Sequence, residues 1–266
     1  MKLLLVLLFY LVGTVLASPT IPLEETNGTP GDGRIIGGYE VTDSKLFPHQ
    51  VGLVYNNSFL CGGSVLSEIF VLTAAHCVYG LLDITKLYVH AGTVFLYGGS
   101  NIQIANVSAF QCYEHYNPVN SSGDLAILRT TGFTLNEYVR PVKLPLPGTT
   151  WSPGTMVTAT GWGRYNNSNT DLSGILKAAD LPLVSGIECE IEFSFNFTDH
   201  MLCMYGFNNN VCKGDSGGPV IATGSTNFLV GVVSFGSIPC ATTIPAVIIN
   251  VAYLEMRRFI SEVTGL

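Results

Sequence analysis

Charge is scarce in this chain of 266 residues. Only 12% of them are Asp, Glu, Lys or Arg, about half the share of an ordinary soluble domain. Basic residues are the scarcer kind: 12 Lys and Arg stand against 19 Asp and Glu, for a formal net charge of −7. A nucleic-acid partner needs a basic stripe to release the counterions of its phosphates, so that class is excluded. Long apolar runs are lacking too. The longest, Leu3 to Leu16, is broken by Tyr10, Gly13 and Thr14 and is short of the ~20 residues that span a bilayer. No Cys-x-x-Cys pair is present, and His76 beside Cys77 is too close to form a spaced zinc-ligand pair. No internal repeat, basic cluster or low-complexity segment occurs. Disorder is excluded as well, because it requires few apolar residues and high net charge, whereas 47% of this chain is apolar.

What is present is punctuation. Gly 29 and Pro 13 favour many short strands and turns over long helices. Short apolar runs recur between turn residues: 50–55, 64–66, 70–73, 87–91, 102–107, 125–129, 156–160, 228–234 and 246–250. That spacing predicts an all-β barrel or sandwich. One helix is expected, at the end, where Tyr253, Met256, Ile260 and Val263 recur at helical spacing with Glu255, Arg257 and Glu262 opposite. The N-terminal Lys2, the apolar block and the small Ala17 read as a secretory signal peptide over residues 1–17. Residues 18–34, rich in Pro and Gly, cannot bury a core and read as a linker or propeptide. The expected location is secreted and extracellular, so the seven cysteines are disulfide material with one left over. Asn27, Asn56, Asn106, Asn120, Asn166 and Asn196 head Asn-x-Ser/Thr triplets, each a glycan acceptor or simply a surface residue.

Three segments carry chemistry. Thr73-Ala74-Ala75-His76-Cys77 puts a His straight after an apolar strand. Gly123-Asp124-Leu125-Ala126 puts one carboxylate at the mouth of another. Gly214-Asp215-Ser216-Gly217-Gly218-Pro219 holds a Ser in a Gly-rich turn. Singly, each is ordinary turn or strand-end composition. Together, in the order His, Asp, Ser, they resemble the trypsin/chymotrypsin family of serine proteases. The resemblance covers residues 35–266, beginning at Arg34-Ile35-Ile36-Gly37-Gly38, which is similar to the family's activation junction, although most members have Val where Ile36 stands. It also takes in Gly161-Trp162-Gly163 and Ser234-Phe235-Gly236, where Phe235 replaces the usual Trp.

The resemblance implies two packed antiparallel six-stranded β-barrels with a C-terminal helix. The N-terminal barrel would span about 35–145, and the second barrel with its helix about 146–266. A serine hydroxyl attacks only when a base takes its proton; His76 would do so for Ser216, with Asp124 holding the imidazole in one tautomer. The amides of Gly214 and Ser216 would form the oxyanion hole. Cleavage after Arg34 would free the Ile35 amine to pair with Asp215, which makes the chain a zymogen. By position the disulfides would be Cys61–Cys77, Cys189–Cys203 and Cys212–Cys240, leaving Cys112 as a buried, inert thiol on a strand, with a bridge to another molecule as the alternative. No carboxylate lies between Asp83 and Glu114, so no calcium is expected, nor any other metal or cofactor.

Specificity follows from the pocket that the resemblance assigns. Its floor falls on Asn210, with Val211 beside it, and Ser234, Phe235 and Gly236 lie on the substrate-binding strand. Its two walls are glycines in the family; here they are Gly236 and Ala246. Without a carboxylate at the floor, basic residues should be rejected. One added methyl discriminates sterically by about 1–3 kcal/mol. The expectation is cleavage after Leu, Phe, Met or Tyr, in a digestive role, with elastase-like preference for small residues as the alternative. A catalytically silent homologue that acts as a binding protein is a further alternative. Expected partners are protein or peptide substrates, a trypsin-like activating protease and protein inhibitors of proteases. Nucleic acid and membrane are excluded, and the protein should be a monomer.

Overall fold

The computed structural model describes residues 38–164, 171–194, 197–206, 209–224, 227–237, 240 and 243–266. The expected signal peptide, propeptide and activation junction, including Arg34, Ile35, Ile36 and Gly37, lie outside the described residues, as do the triplet asparagines Asn27, Asn166 and Asn196.

Thirteen strands form the framework among the described residues. In the first barrel they are β2 (Gln50–Tyr55), β3 (Ser58–Val65), β4 (Phe70–Thr73), β5 (Leu87–Ala91), β6 (Gln103–Cys112) and β7 (Ala126–Thr130). They close in the order β2-β3-β4-β7-β6-β5. The second barrel contains β8 (Met156–Gly161), β9 (Lys177–Val184), β10 (Met201–Met204), β11 (Pro219–Ala222), β12 (Leu229–Phe235) and β13 (Ala246–Asn250). Its sheet runs β9-β10-β13-β12-β11-β8 and closes because β8 also pairs β9. Every named pairing is antiparallel. Closure removes the free strand edges that would otherwise recruit another chain. The two six-stranded barrels anticipated from the sequence are therefore present.

Four of the expected runs, 50–55, 70–73, 87–91 and 246–250, coincide with strands to the residue. Others were longer than expected: β6 continues past Val107 to Cys112 after a register shift between Val107 and Ala109, with half-buried Phe110 and Cys112 alternating with exposed Ala109 and Gln111. β9 escaped the sequence reading. It carries Lys177, Asp180 and Pro182, a composition unlike a buried strand, yet Lys177 is 1% exposed. Its ammonium is neutralised by Glu40, and Glu40 sits on β1 (Tyr39–Glu40), which pairs with the start of β9.

The expected helix is α2 (Leu254–Thr264), with Met256, Phe259 and Ile260 buried. The expectation that it is the only helix is corrected by α1 (Gly186–Phe193). Glu188 accepts the Ser185 N–H at 2.9 Å at its start, the Ser-x-x-Glu signature of a helix beginning. Eight residues rich in Glu and Ile gave too short a period to register.

Candidate active site

The two barrels meet along the turn 214–219. Gly62 N of β3 donates to Ser216 O at 2.8 Å, and Gly217 N donates to Val233 O of β12 at 2.8 Å. The turn is therefore pinned from both sides. Gly214 lies at φ +104 and Gly217 at φ +77, where side chains are strained. A Cβ on Gly217 would collide with Thr73 Oγ1 at the end of β4, and one on Gly62 would lie 2.9 Å from Gly218 Cα. This packing brings Gly217, next to Ser216, against Ala74, where a Cβ on Gly217 would lie 3.2 Å from the Ala74 nitrogen. Ala74 precedes the short turn Ala75–Cys77 that carries His76, and the Cys61–Cys77 disulfide ties that turn to β3.

Asp124 is fully buried. Its Oδ2 lies 2.7 Å from His76 Nδ1, and its Oδ1 accepts the His76 backbone N–H at 2.8 Å. Ser234 Oγ of β12 donates to the same Oδ2 at 2.5 Å. The sequence reading had placed Ser234 only on the substrate strand. Its bond to Asp124 joins residues 110 apart, and no local pattern announces it. A carboxylate on Nδ1 leaves Nε2 of a neutral imidazole as the base; Nε2 lies 3.7 Å from Cys77 Sγ. Ser216 Oγ makes no hydrogen bond to His76 among the described residues, a bond that in unliganded enzymes is often long. Neither the Gly214 nor the Ser216 amide has an acceptor among the described residues.

Asp215 is also fully buried. Its oxygens accept Gly163 N and Cys212 N, each at 2.8 Å. Burial pushes its pKa up to about 6, against the pull of those two amide bonds. Gly161 and Gly163 make the room: a Cβ on Gly163 would lie 2.5 Å from the carboxylate, and the intervening Trp162 donates to Val94 O across the barrels at 2.9 Å.

A cavity of about 170 Å³ opens beside Ser216. It is lined by Val211, Cys212, Lys213, Ser216, Val233–Ser237 and Cys240. It is smaller than a ligand pocket of roughly 300–1,000 Å³ and suits one side chain. Of the substrate-binding residues expected, Val211, Ser234, Phe235 and Gly236 line it; Asn210 and Ala246 do not. Asn210 is buried behind, donating through Nδ2 to Ile244 O at 2.6 Å. Ala246 backs Gly236, with its Cβ 3.6 Å from where a Cβ on Gly236 would stand.

The residues 35–257 match the family model described as Trypsin. This chain belongs to the trypsin family of serine proteases. It is 37% identical to Trypsin 5G1 of Aedes aegypti over 90% of this chain and 88% of that one. It is 35% identical to Trypsin epsilon of Drosophila erecta, over 77% of this chain and 78% of the relative. It is 32% identical to Brachyurin of Leptuca pugilator over 82% and 94%.

All three disulfides expected of a trypsin-family chain are formed: Cys61–Cys77, Cys189–Cys203 and Cys212–Cys240. Cys112 is the free thiol at the end of β6, half-buried rather than fully so, and burial pushes its pKa up to about 11. A thiol that resists ionisation is a poor nucleophile. The ligand atoms of Cys61, His76 and Cys77 lie within 4.8 Å of one another, but both sulfurs are committed to their disulfide, which leaves no thiolate for a metal. No helix among the described residues is long and apolar enough to cross a membrane.

Proposed function

We propose that this protein is a secreted digestive endopeptidase made as a zymogen, which cleaves after Leu, Phe, Met and Tyr. In this reading His76 takes the proton of Ser216 as the hydroxyl attacks the scissile carbonyl. Asp124 fixes the imidazole tautomer and stabilises the imidazolium, with Ser234 and the His76 amide holding its carboxylate in place. The tetrahedral oxyanion draws on the Gly214 and Ser216 amides, the two donors of the turn that lack acceptors among the described residues. Cleavage after Arg34 supplies the Ile35 amine, and Asp215 is the buried carboxylate that needs a cation. The signal-like segment at residues 1–17 and the disulfides support an extracellular site of action.

One observation carries the specificity. The cavity beside Ser216 has no carboxylate in its lining, and none occurs in the sequence at 205–213 or 233–246. Among the described residues the one charged lining residue, Lys213, is basic. An Arg or Lys side chain entering that slot would be desolvated without a partner, which is prohibitive. The relatives bear the name trypsin; the composition of this pocket argues against trypsin-type selection of basic residues. Ala246 favours a second reading, elastase-like preference for small residues, because its methyl backs the slot.

Cleavage profiling of the activated protein on a peptide library decides among these. Large and medium apolar residues should dominate at the position before the cut. Cleavage after Arg or Lys at matching rates would refute the reading. Ala246→Gly should raise turnover of Phe and Tyr substrates over Leu and Ala substrates, within the roughly 10–200-fold range that a methylene commands.

A further inference from the structure

The loop that carries Asp124 is gripped from the opposite barrel by a histidine outside the triad. His200 immediately precedes β10, and its carbonyl accepts Asn250 N–H of β13 at 2.8 Å, so its backbone belongs to the second barrel. Its Nε2 lies 2.9 Å from Gly123 N, 3.2 Å from Ser122 Oγ and 3.0 Å from Thr198 Oγ1. A backbone N–H can only donate. Nε2 is therefore the acceptor, and the ring proton of the neutral imidazole sits on Nδ1. Gly123 is held at φ +66, and a Cβ there would lie 2.6 Å from the Tyr113 ring. Asp124 is the next residue.

We propose that His200 is a positioning residue, which aims the Asp124 carboxylate at His76 by holding the Gly123 amide, and that only its neutral ring does so. The proposal rests on the serine-protease mechanism given above. Protonation at Nε2 would set two N–H groups face to face at 2.9 Å. The Ser122 and Thr198 hydroxyls could turn to accept from the cation; the Gly123 amide could not, and the loop would be pushed away. Asp124 would then lose register with an imidazole that it meets at 2.7 Å, and displacements of that order cost catalysis heavily.

The surroundings keep the ring neutral. From the β6–β7 loop it faces Ser122 and Gly123; from its own segment, Thr198 and Asp199. From the first turn of α2 it faces Glu255, and from the residue before that helix the Tyr253 ring, whose centroid is 5.9 Å away. Burial lowers the His200 pKa below its ordinary 6.5, outweighing the pull of Glu255 and Asp199 toward the cation. The acceptor is present at neutral pH and is lost as pH falls below that lowered value.

The test uses the activated full-length enzyme and two variants. In His200→Gln, Oε1 stands as many bonds from Cβ as Nε2 does, and it accepts without titrating; His200→Leu does neither. The Gln variant should keep a kcat near that of the wild type. The Leu variant should lose about 10- to 100-fold in kcat with KM unchanged. On the acid side, kcat of the wild type should fall more steeply than that of the Gln variant, because only the wild type takes up a proton at residue 200. The Gln variant should fall with a slope of one. Equal kcat in the Leu and Gln variants, or equal acid slopes in wild type and Gln variant, overturns the proposal. If the Leu variant does not fold, the slopes alone decide. A wild type that fails to label with a fluorophosphonate at Ser216 would instead sink the protease mechanism itself.

Discussion

At Asp215 the position of a single carboxylate dictates the identity of its neighbours. The carboxylate is wholly buried, accepts two amide hydrogen bonds at 2.8 Å, and leaves no space for a Cβ at Gly161 or Gly163. These two glycines are required by close approach, since neither lies at positive φ. A methyl at Gly163 would displace the carboxylate and break its bond to the same residue's amide. Gly163→Ala should therefore cost about 1–3 kcal/mol of stability, as overpacking does in a filled core, and should lower kcat with it. Thermal denaturation and kinetics of the one variant check both. A wild-type melting temperature would mean that the carboxylate has somewhere else to go.

Among the elements, α1 depends most on a covalent tie. It has eight residues, of which Cys189 alone is buried, while Ile187 and Ile191 are exposed. Isolated helices of this length are marginal. The Cys189–Cys203 bond joins it to β10 across 14 residues, and closing such a loop is worth about 3 kcal/mol. The double substitution Cys189→Ser, Cys203→Ser should remove about that much, seen as a lower denaturant midpoint. Phe193 at the helix end packs edge-to-face on Phe235 of the substrate strand, at 5.4 Å between ring centroids. The same variant should therefore raise KM more than it lowers kcat.

For the whole molecule the expectation concerns pH. In the intact chain residue 35 has a peptide nitrogen and no amine, so Asp215 keeps the raised pKa of about 6 that burial imposes. A carboxylate whose pKa is raised by folding favours the fold when protonated. Its contribution is fully present below the ordinary value near 3.9 and is lost as pH rises through about 6. Two units correspond to about 3 kcal/mol. Buried His49, lowered to about 4 by desolvation, works in the opposite sense, losing stability as pH falls from 6.5. The contrast with Asp215→Asn isolates the carboxylate. Between pH 4 and 7, Asp215→Asn should progressively stabilise the intact chain relative to wild type. After cleavage at Arg34 it should instead destabilise, because the amine then has a carboxylate to meet. Melting curves of both forms across that range test the zymogen reading directly. The same sign in both forms would contradict it.

Much of this was legible in the residues themselves. Apolar runs bounded by turns marked most strands, because alternation and burial are local consequences of a pleated backbone. The segments around His76, Asp124 and Ser216 are each ordinary alone; their order and family resemblance proposed them as a triad, and the fold sets Asp124 Oδ2 2.7 Å from His76 Nδ1. The sequence could not reveal β9, whose Lys177 is a core residue only because Glu40 comes to neutralise it from 137 positions away. Nor could it announce that Asn210 turns its amide to Ile244, that Ser234 holds Asp124, or that His200 grips Gly123 from 77 residues downstream. A hydrogen bond between distant side chains leaves no periodicity in either segment. Local pattern determined most of the strands and family resemblance proposed the triad, while the docking of one barrel on the other decided which polar atoms hold His76, Asp124 and their neighbours in place.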